Sequence, residues 1–160
     1  MTISNWKNDD VILKVTSTAV CGSGLHIYNE FIPQTKPNVI GHEFMGVVKE
    51  VGAGVKELRP GGRVVVPFPI ACGGCFFCNH DLPGHCENSN DIYGPEGGLA
   101  KEKGARFSDT LIFTMNTQAA SPDNVRVPYA NFGPRKVPDR FTDEQVLFLT
   151  DIFPTGFSGV

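Results

Sequence analysis

At 160 residues the chain is sized for one domain with a core of its own. A formal net charge of -3 and a pI near 5.8 argue against a nucleic-acid partner, because phosphate contacts need a basic surface. No apolar run approaches the ~20 residues of a membrane span, and the start lacks the basic-then-apolar pattern of a signal peptide. A cytoplasmic protein without membrane attachment is therefore expected.

With 18 Gly and 12 Pro set between short Val/Ile-rich runs, the pattern is mainly β with many turns. Asp10 to Thr18 reads as a strand ending at the turn Cys21-Gly22-Ser23-Gly24, which is not expected to open a helix. Phe44 to Val55 reads as a second strand running into a Gly-rich turn, and Arg63 to Pro67 as a third. Ile70 to Tyr93 has little periodicity and much Cys, Gly, Asn and Pro, so a loop is expected there, ordered by something other than an apolar core. Val125 to Pro128 reads as a short strand. Thr142 to Thr150 reads as a helix, with Thr142 as N-cap and Gln145 reaching back in a capping box.

The 5 cysteines, an odd number with four crowded into one stretch, fit a disulfide framework poorly. Cys72, Cys75 and Cys78 are each separated by two residues, and Cys86 follows in the same loop. Four thiolates around a tetrahedral zinc need a chain that doubles back every few residues, and Gly73-Gly74 and Pro83-Gly84 supply the turns. Buried free thiols would explain one or two such cysteines, but not four in a loop poor in apolar residues. A zinc closed by four thiolates leaves no open position, so it orders the loop and does no chemistry.

Cys21 stands apart from these, in Cys21-Gly22-Ser23-Gly24-Leu25-His26. Further on come Gly41-His42-Glu43 and Thr150-Asp151-Ile152. A catalytic zinc keeps about three protein ligands and one open position. One thiolate, one imidazole and a carboxylate would supply them. Each residue alone is more easily a surface or core side chain, and only the combination points to a metal.

The segments CGSGLHIY, GHEFMGVVKEVG, RVVVPFPIACGGCFFC and TDIFPTGFSG, in that order, resemble the zinc-dependent medium-chain dehydrogenases of the alcohol dehydrogenase family. The resemblance implies a GroES-like β-barrel catalytic domain with a few helices over residues 1–137. Residues 138–160 would then lead toward a Rossmann nucleotide-binding domain that this sequence does not contain. It implies Cys21, His42 and Asp151 as catalytic zinc ligands, with Glu43 close to the metal and able to exchange onto it. Cys72, Cys75, Cys78 and Cys86 would hold a structural zinc, giving two zincs per chain. Ser23 would touch the substrate oxygen and His26 would end a proton relay. The reaction implied is hydride transfer from a small alcohol or hydrated aldehyde to NAD(P), in an enzyme that is a homo-oligomer. Asp151 in place of the more usual Cys, followed by Ile-Phe-Pro-Thr-Gly, resembles the branch of glutathione-independent formaldehyde dehydrogenases.

Four departures from that pattern stand out. Gly24 occupies the place of an Asp that supports the zinc-bound His. The family's first strand and its lead-in are missing, which is expected to leave the neighbouring strand with an unpaired edge. No G-x-G-x-x-G occurs, so no cofactor-binding residue is assigned. Finally, Ala105 to Asn124 does not look like the family. Joining the third base of each codon to the first two of the next permits ALFGYTDLYDEYAGGQ, which does look like it. Two compensating frameshifts bracketing this stretch are therefore expected, against the alternative of a divergent surface loop, with a core strand of the barrel compromised.

An oxidoreductase catalytic domain, inactive alone, is the leading expectation. The alternative is a non-catalytic zinc-binding remnant of such an enzyme. A co-chaperonin-like barrel acting by assembly is a third reading, opposed by the four-cysteine loop.

Overall fold

The structure, a computed structural model, describes residues 7–31, 41–89 and 123–159. The stretch Ala105 to Asn124 lies outside them apart from its last two residues. Five strands form one antiparallel sheet in the order β4-β1-β2-β3-β5: β1 Val11–Ala19, β2 Glu43–Val51, β3 Arg63–Val66, β4 Asn124–Val127 and β5 Arg135–Lys136. Every pairing is antiparallel, and the domain is mainly β, as expected. The first four strands fall where the Val/Ile-rich runs place them. β2 ends at Val51 and the expected Gly-rich turn follows, where Val55 N–H donates to Gly52 O at 3.0 Å. The two-residue β5 carries too little pattern to be seen in advance.

The sheet is covered on both faces, which explains the unbroken Val-Val-Val of β3. Val64 and Val66 join Val11, Leu13, Phe44 and Val48 in one core, while Val65 turns the other way. There it meets Met45, Val137, Val146 and Leu147 in a second. A strand buried on both faces loses the polar alternation of a half-exposed one. Gly46 packs against the backbone of β1, and a Cβ there would run into the Lys14 carbonyl.

The β1–β2 register shifts twice, between Ile12 and Leu13 and between Val15 and Ser17. At the second shift Thr16 is an extra residue with no partner in β2. Consecutive side chains of a regular strand point to opposite faces; a bulge breaks that rule. Here both Thr16 Oγ1 and Ser17 Oγ donate to Asp143 Oδ2, at 2.6 and 3.1 Å. Arg63 pairs with the other oxygen of Asp143 and also donates to Phe141 O at 2.9 Å. Asp143 thus ties the helical C-terminal segment to β1 and β3 together.

Three expectations are corrected. The segment after Cys21 is a helix, α1 (Gly22–Tyr28), despite its two glycines. The third residue of a dinucleotide fingerprint is still lacking, since Ile27 stands in its place. The single helix expected over Thr142 to Thr150 is two pieces, with a third element beyond it. The capping box forms, with Thr142 N–H donating to Gln145 Oε1 at 2.9 Å, but α3 spans only Asp143–Val146. A 3-10 turn, Leu147–Thr150, follows, and after a break at Asp151 α4 runs Ile152–Ser158. The break is backbone: Asp151 has φ -151 and ψ -61, outside the helical region. Third, β1 is not the unpaired edge. Over Val11 to Lys14 it pairs with β4 on one side and β2 on the other, and among the described residues the edges are β4 and β5.

No helix among the described residues is long and apolar enough to cross a membrane.

Candidate metal centres

The register of β1 and β2 builds the first site. Ala19 pairs with Glu43 at one end of the ladder, so Cys21, just past β1, lies beside His42, just before β2. His42 and Glu43 are each 3% exposed. Asp151 arrives from the far end of the chain, at the break between the 3-10 turn and α4. It is held there by Phe68 N–H, which donates to Thr150 O at 2.8 Å. One ligand atom from each of Cys21, His42, Glu43 and Asp151 falls within 4.8 Å of the others.

Asp151 Oδ2 lies 3.0 Å from His42 Nε2 and 3.6 Å from Cys21 Sγ. Tetrahedral zinc with N, O and S bonds of about 2.0–2.3 Å sets its ligand atoms roughly 3.3–3.8 Å apart; the Cys21 distance falls in that range, and the shorter His42 distance needs only a small opening to admit a zinc. Ser23 Oγ donates to Cys21 Sγ at 3.2 Å, from the first turn of α1. His26 lies one turn on, exposed, its ring tilted against Phe31 at 5.9 Å. The structure therefore brings Ser23 into the cluster and leaves His26 at its periphery. On the far side of the ring, His42 Nδ1 is buried without a hydrogen-bond partner among the described residues.

The second site is local. Cys72 precedes α2 (Phe76–Asn79), Cys75 is its N-cap, Cys78 lies within it, and Cys86 follows the 3-10 turn Pro83–His85. The expected loop therefore contains two short helical turns. All five cysteines are free. The four sulfurs of the loop lie within 4.8 Å of one another, with Cys72 to Cys78 at 4.0 Å and Cys75 to Cys86 at 3.9 Å. A tetrahedron with Zn–S bonds of about 2.3 Å has an edge of about 3.8 Å, and the fit is close.

The backbone donates into this cluster. Cys72 N–H reaches Cys86 Sγ at 3.3 Å, while Gly74 N–H and Asn88 Nδ2 reach Cys72 Sγ at 3.4 and 3.2 Å. Burial raises the pKa of Cys72, but the hydrogen bonds from Asn88 and from backbone N–H groups together outweigh it and bring the thiol down to about 6. Burial pushes Cys78 up to about 12. Thiols poised so differently within one cluster are brought to a common thiolate state by a cation. Gly73 turns the loop with φ +74, where a Cβ would stand 2.6 Å from Phe132 Cδ2.

An alcohol dehydrogenase GroES-like domain model matches residues 7–113, more than half the chain. The chain belongs to this family. Within it, the zinc-type alcohol dehydrogenase-like protein AdhB of Bacillus subtilis is 45% identical over 157 residues, covering 96% of this chain and 39% of that protein. The glutathione-independent formaldehyde dehydrogenase of Pseudomonas aeruginosa is 35% identical over 153 residues, covering 93% of this chain and 36% of that protein. Among solved structures, alcohol dehydrogenase TADH from Thermus sp. ATN1 superimposes with a TM-score of 0.74 at 36% identity, over 97% of this chain and 40% of that one. The chain thus spans between 36% and 40% of the length of these three relatives.

An open cleft of about 550 Å³ lies beside Asp151, lined by Pro67, Phe68, Pro69 and Pro154 together with Thr150 and Thr155. None of these six is singled out by sequence reasoning. Phe68 is the one with a signal: it follows the buried β3 directly, and its ring stands 5.4 Å from that of His42. Thr155 has none, because a threonine in a Pro-Thr-Gly run reads as an ordinary helix-end residue.

Proposed function

We propose that this chain is the zinc-binding catalytic domain of an alcohol- or aldehyde-oxidising dehydrogenase. Cys21, His42 and Asp151 hold the catalytic zinc, and Cys72, Cys75, Cys78 and Cys86 the structural one. The observation that carries the reading is the convergence of Cys21, His42, Glu43 and Asp151 within 4.8 Å, from positions as far apart as residues 21 and 151. Residues 1–137 make up most of the domain, and 138–160 add Asp151 to its site as they lead away from it.

A zinc in this site supplies a Lewis acid with an open coordination position. The chain's residues do the rest. Ser23, already donating to Cys21 Sγ, stands where a substrate hydroxyl hands over its proton, and His26 at the exposed end of α1 passes it to solvent. Glu43, buried beside the ligands, is an alternative carboxylate for the metal while substrate exchanges. Pro67, Phe68 and Pro154 exclude water on one side, and the cleft they line suits a small alcohol or aldehyde. The hydride acceptor is a nicotinamide dinucleotide. These 160 residues contain no G-x-G-x-x-G turn, so none of them is assigned to holding its phosphates.

A second reading, a zinc-binding remnant that has lost its chemistry, is favoured by one observation: the unpartnered Nδ1 of His42. Metal analysis tests the main reading. Two zincs per chain are expected, falling to one in Cys21→Ser, whereas a chain that holds only the loop zinc sinks it. Turnover of formaldehyde or ethanol with added nicotinamide cofactor, above the metal-free blank, would reject the remnant.

A further inference from the structure

A cysteine ligand offers a metal one sulfur; a carboxylate offers two oxygens, and something must decide between them. The terminal torsion of Asp is broad and weakly restrained, so an unanchored carboxylate swings between binding through one oxygen and through both. At Asp151 the two oxygens have separate partners. Oδ2 faces His42 Nε2 at 3.0 Å and Cys21 Sγ at 3.6 Å. Oδ1 accepts a hydrogen bond from Thr155 Oγ1 at 2.7 Å, the usual length of an O–H···O bond.

The donor is itself fixed. Thr155 lies four residues along α4, and its N–H donates to Asp151 O at 2.9 Å, so backbone and side chain both tie it to the same residue. Thr155 also lines the cleft beside the site. We propose that Thr155 is a positioning residue, which occupies Asp151 Oδ1 and so presents Oδ2 alone to the metal. This rests on the assignment of Cys21, His42 and Asp151 as ligands. It adds that the carboxylate in this position works only with a hydroxyl one helical turn ahead of it.

Cobalt(II) in place of zinc reports the two sites separately, because four thiolates and one thiolate give different visible spectra. Titrating the chain with cobalt against a competing chelator gives the affinity of each equivalent. In Thr155→Val the equivalent with one thiolate is expected to weaken about 10–100-fold and its bands to shift. Thr155→Ser is expected to keep both close to the wild type. The four-thiolate equivalent should be the same in all three, which is the control for folding. Thr155→Ala removes the hydroxyl without a branched methyl and answers the question if valine disturbs that control. Wild-type affinity and bands in the valine and alanine variants would overturn the role of Thr155 alone. A wild-type chain that takes up only the four-thiolate equivalent would overturn the ligand assignment beneath it, and the inference with it.

Discussion

The two metal clusters are built in opposite ways. The four-cysteine site is closed by one short loop whose own apolar support is Ala71 and the partly buried Phe132. The other is assembled by the sheet: β1 delivers Cys21, β2 delivers His42 and Glu43, and the C-terminal turns deliver Asp151. On the proposed assignment, a metal organises the chain in the first, and the chain organises the metal in the second. A loop with so small a core has little else to offset its conformational entropy. The candidate ligands of the second site are brought together by the ends of β1 and β2 and by the C-terminal turns, before any ion arrives.

Chelation tests this contrast with the largest effect. Structural zinc sites of this kind contribute apparent binding energies of roughly 10–16 kcal/mol. Stripping the metal is expected to expose the amides of residues 72–89 to hydrogen exchange while those of β1, β2 and β3 stay protected. A loop that stays protected would break the comparison. Gly24→Asp sharpens it on the other side. A carboxylate restored there is expected to raise metal affinity at the Cys21 site about 10–100-fold and leave the loop site unchanged, as read by competitive titration.

Gly73→Ala should act on the loop alone. Positive φ and the contact with Phe132 together cost on the order of 1–2 kcal/mol, seen as weaker zinc retention by the four-thiolate site. The smallest effect is at Asp143. Hydrogen bonds from Thr16, Arg63 and Ser17 hold its carboxyl below the ordinary 3.8. A depressed folded-state pKa gives stability that is present above the unfolded value and lost as pH falls through the folded one. Asp143→Asn is therefore expected to cost about 1 kcal/mol in urea denaturation at pH 7. The difference from wild type should shrink below about pH 4.

How much of this was legible follows the same division. The cysteine loop could be read from spacing alone, because its geometry is local. The strands could be read from their Val/Ile runs, and the ligands Cys21, His42 and Asp151 only through resemblance, because no local pattern links residues so far apart. α1 was hidden because Gly22 and Gly24 disfavour a helix by propensity, a preference that its surroundings override. The break at Asp151 was hidden because the apolar spacing from Val146 to Leu149 does not distinguish an α-helix from a tighter 3-10 turn. The clamp of Thr16, Ser17 and Arg63 on Asp143 was hidden too. An acidic residue in a first helical turn already has a sufficient reason to be there.

The extra residue at Thr16 sets a parity. Between that bulge and Cys21 the strand alternates, so each residue added or removed there reverses which face the thiol meets. Single-residue insertions or deletions in Ser17 to Ala19 should abolish metal uptake at the Cys21 site, and two-residue insertions should be tolerated better. The length of this strand is thus constrained as odd against even before it is constrained in ångströms.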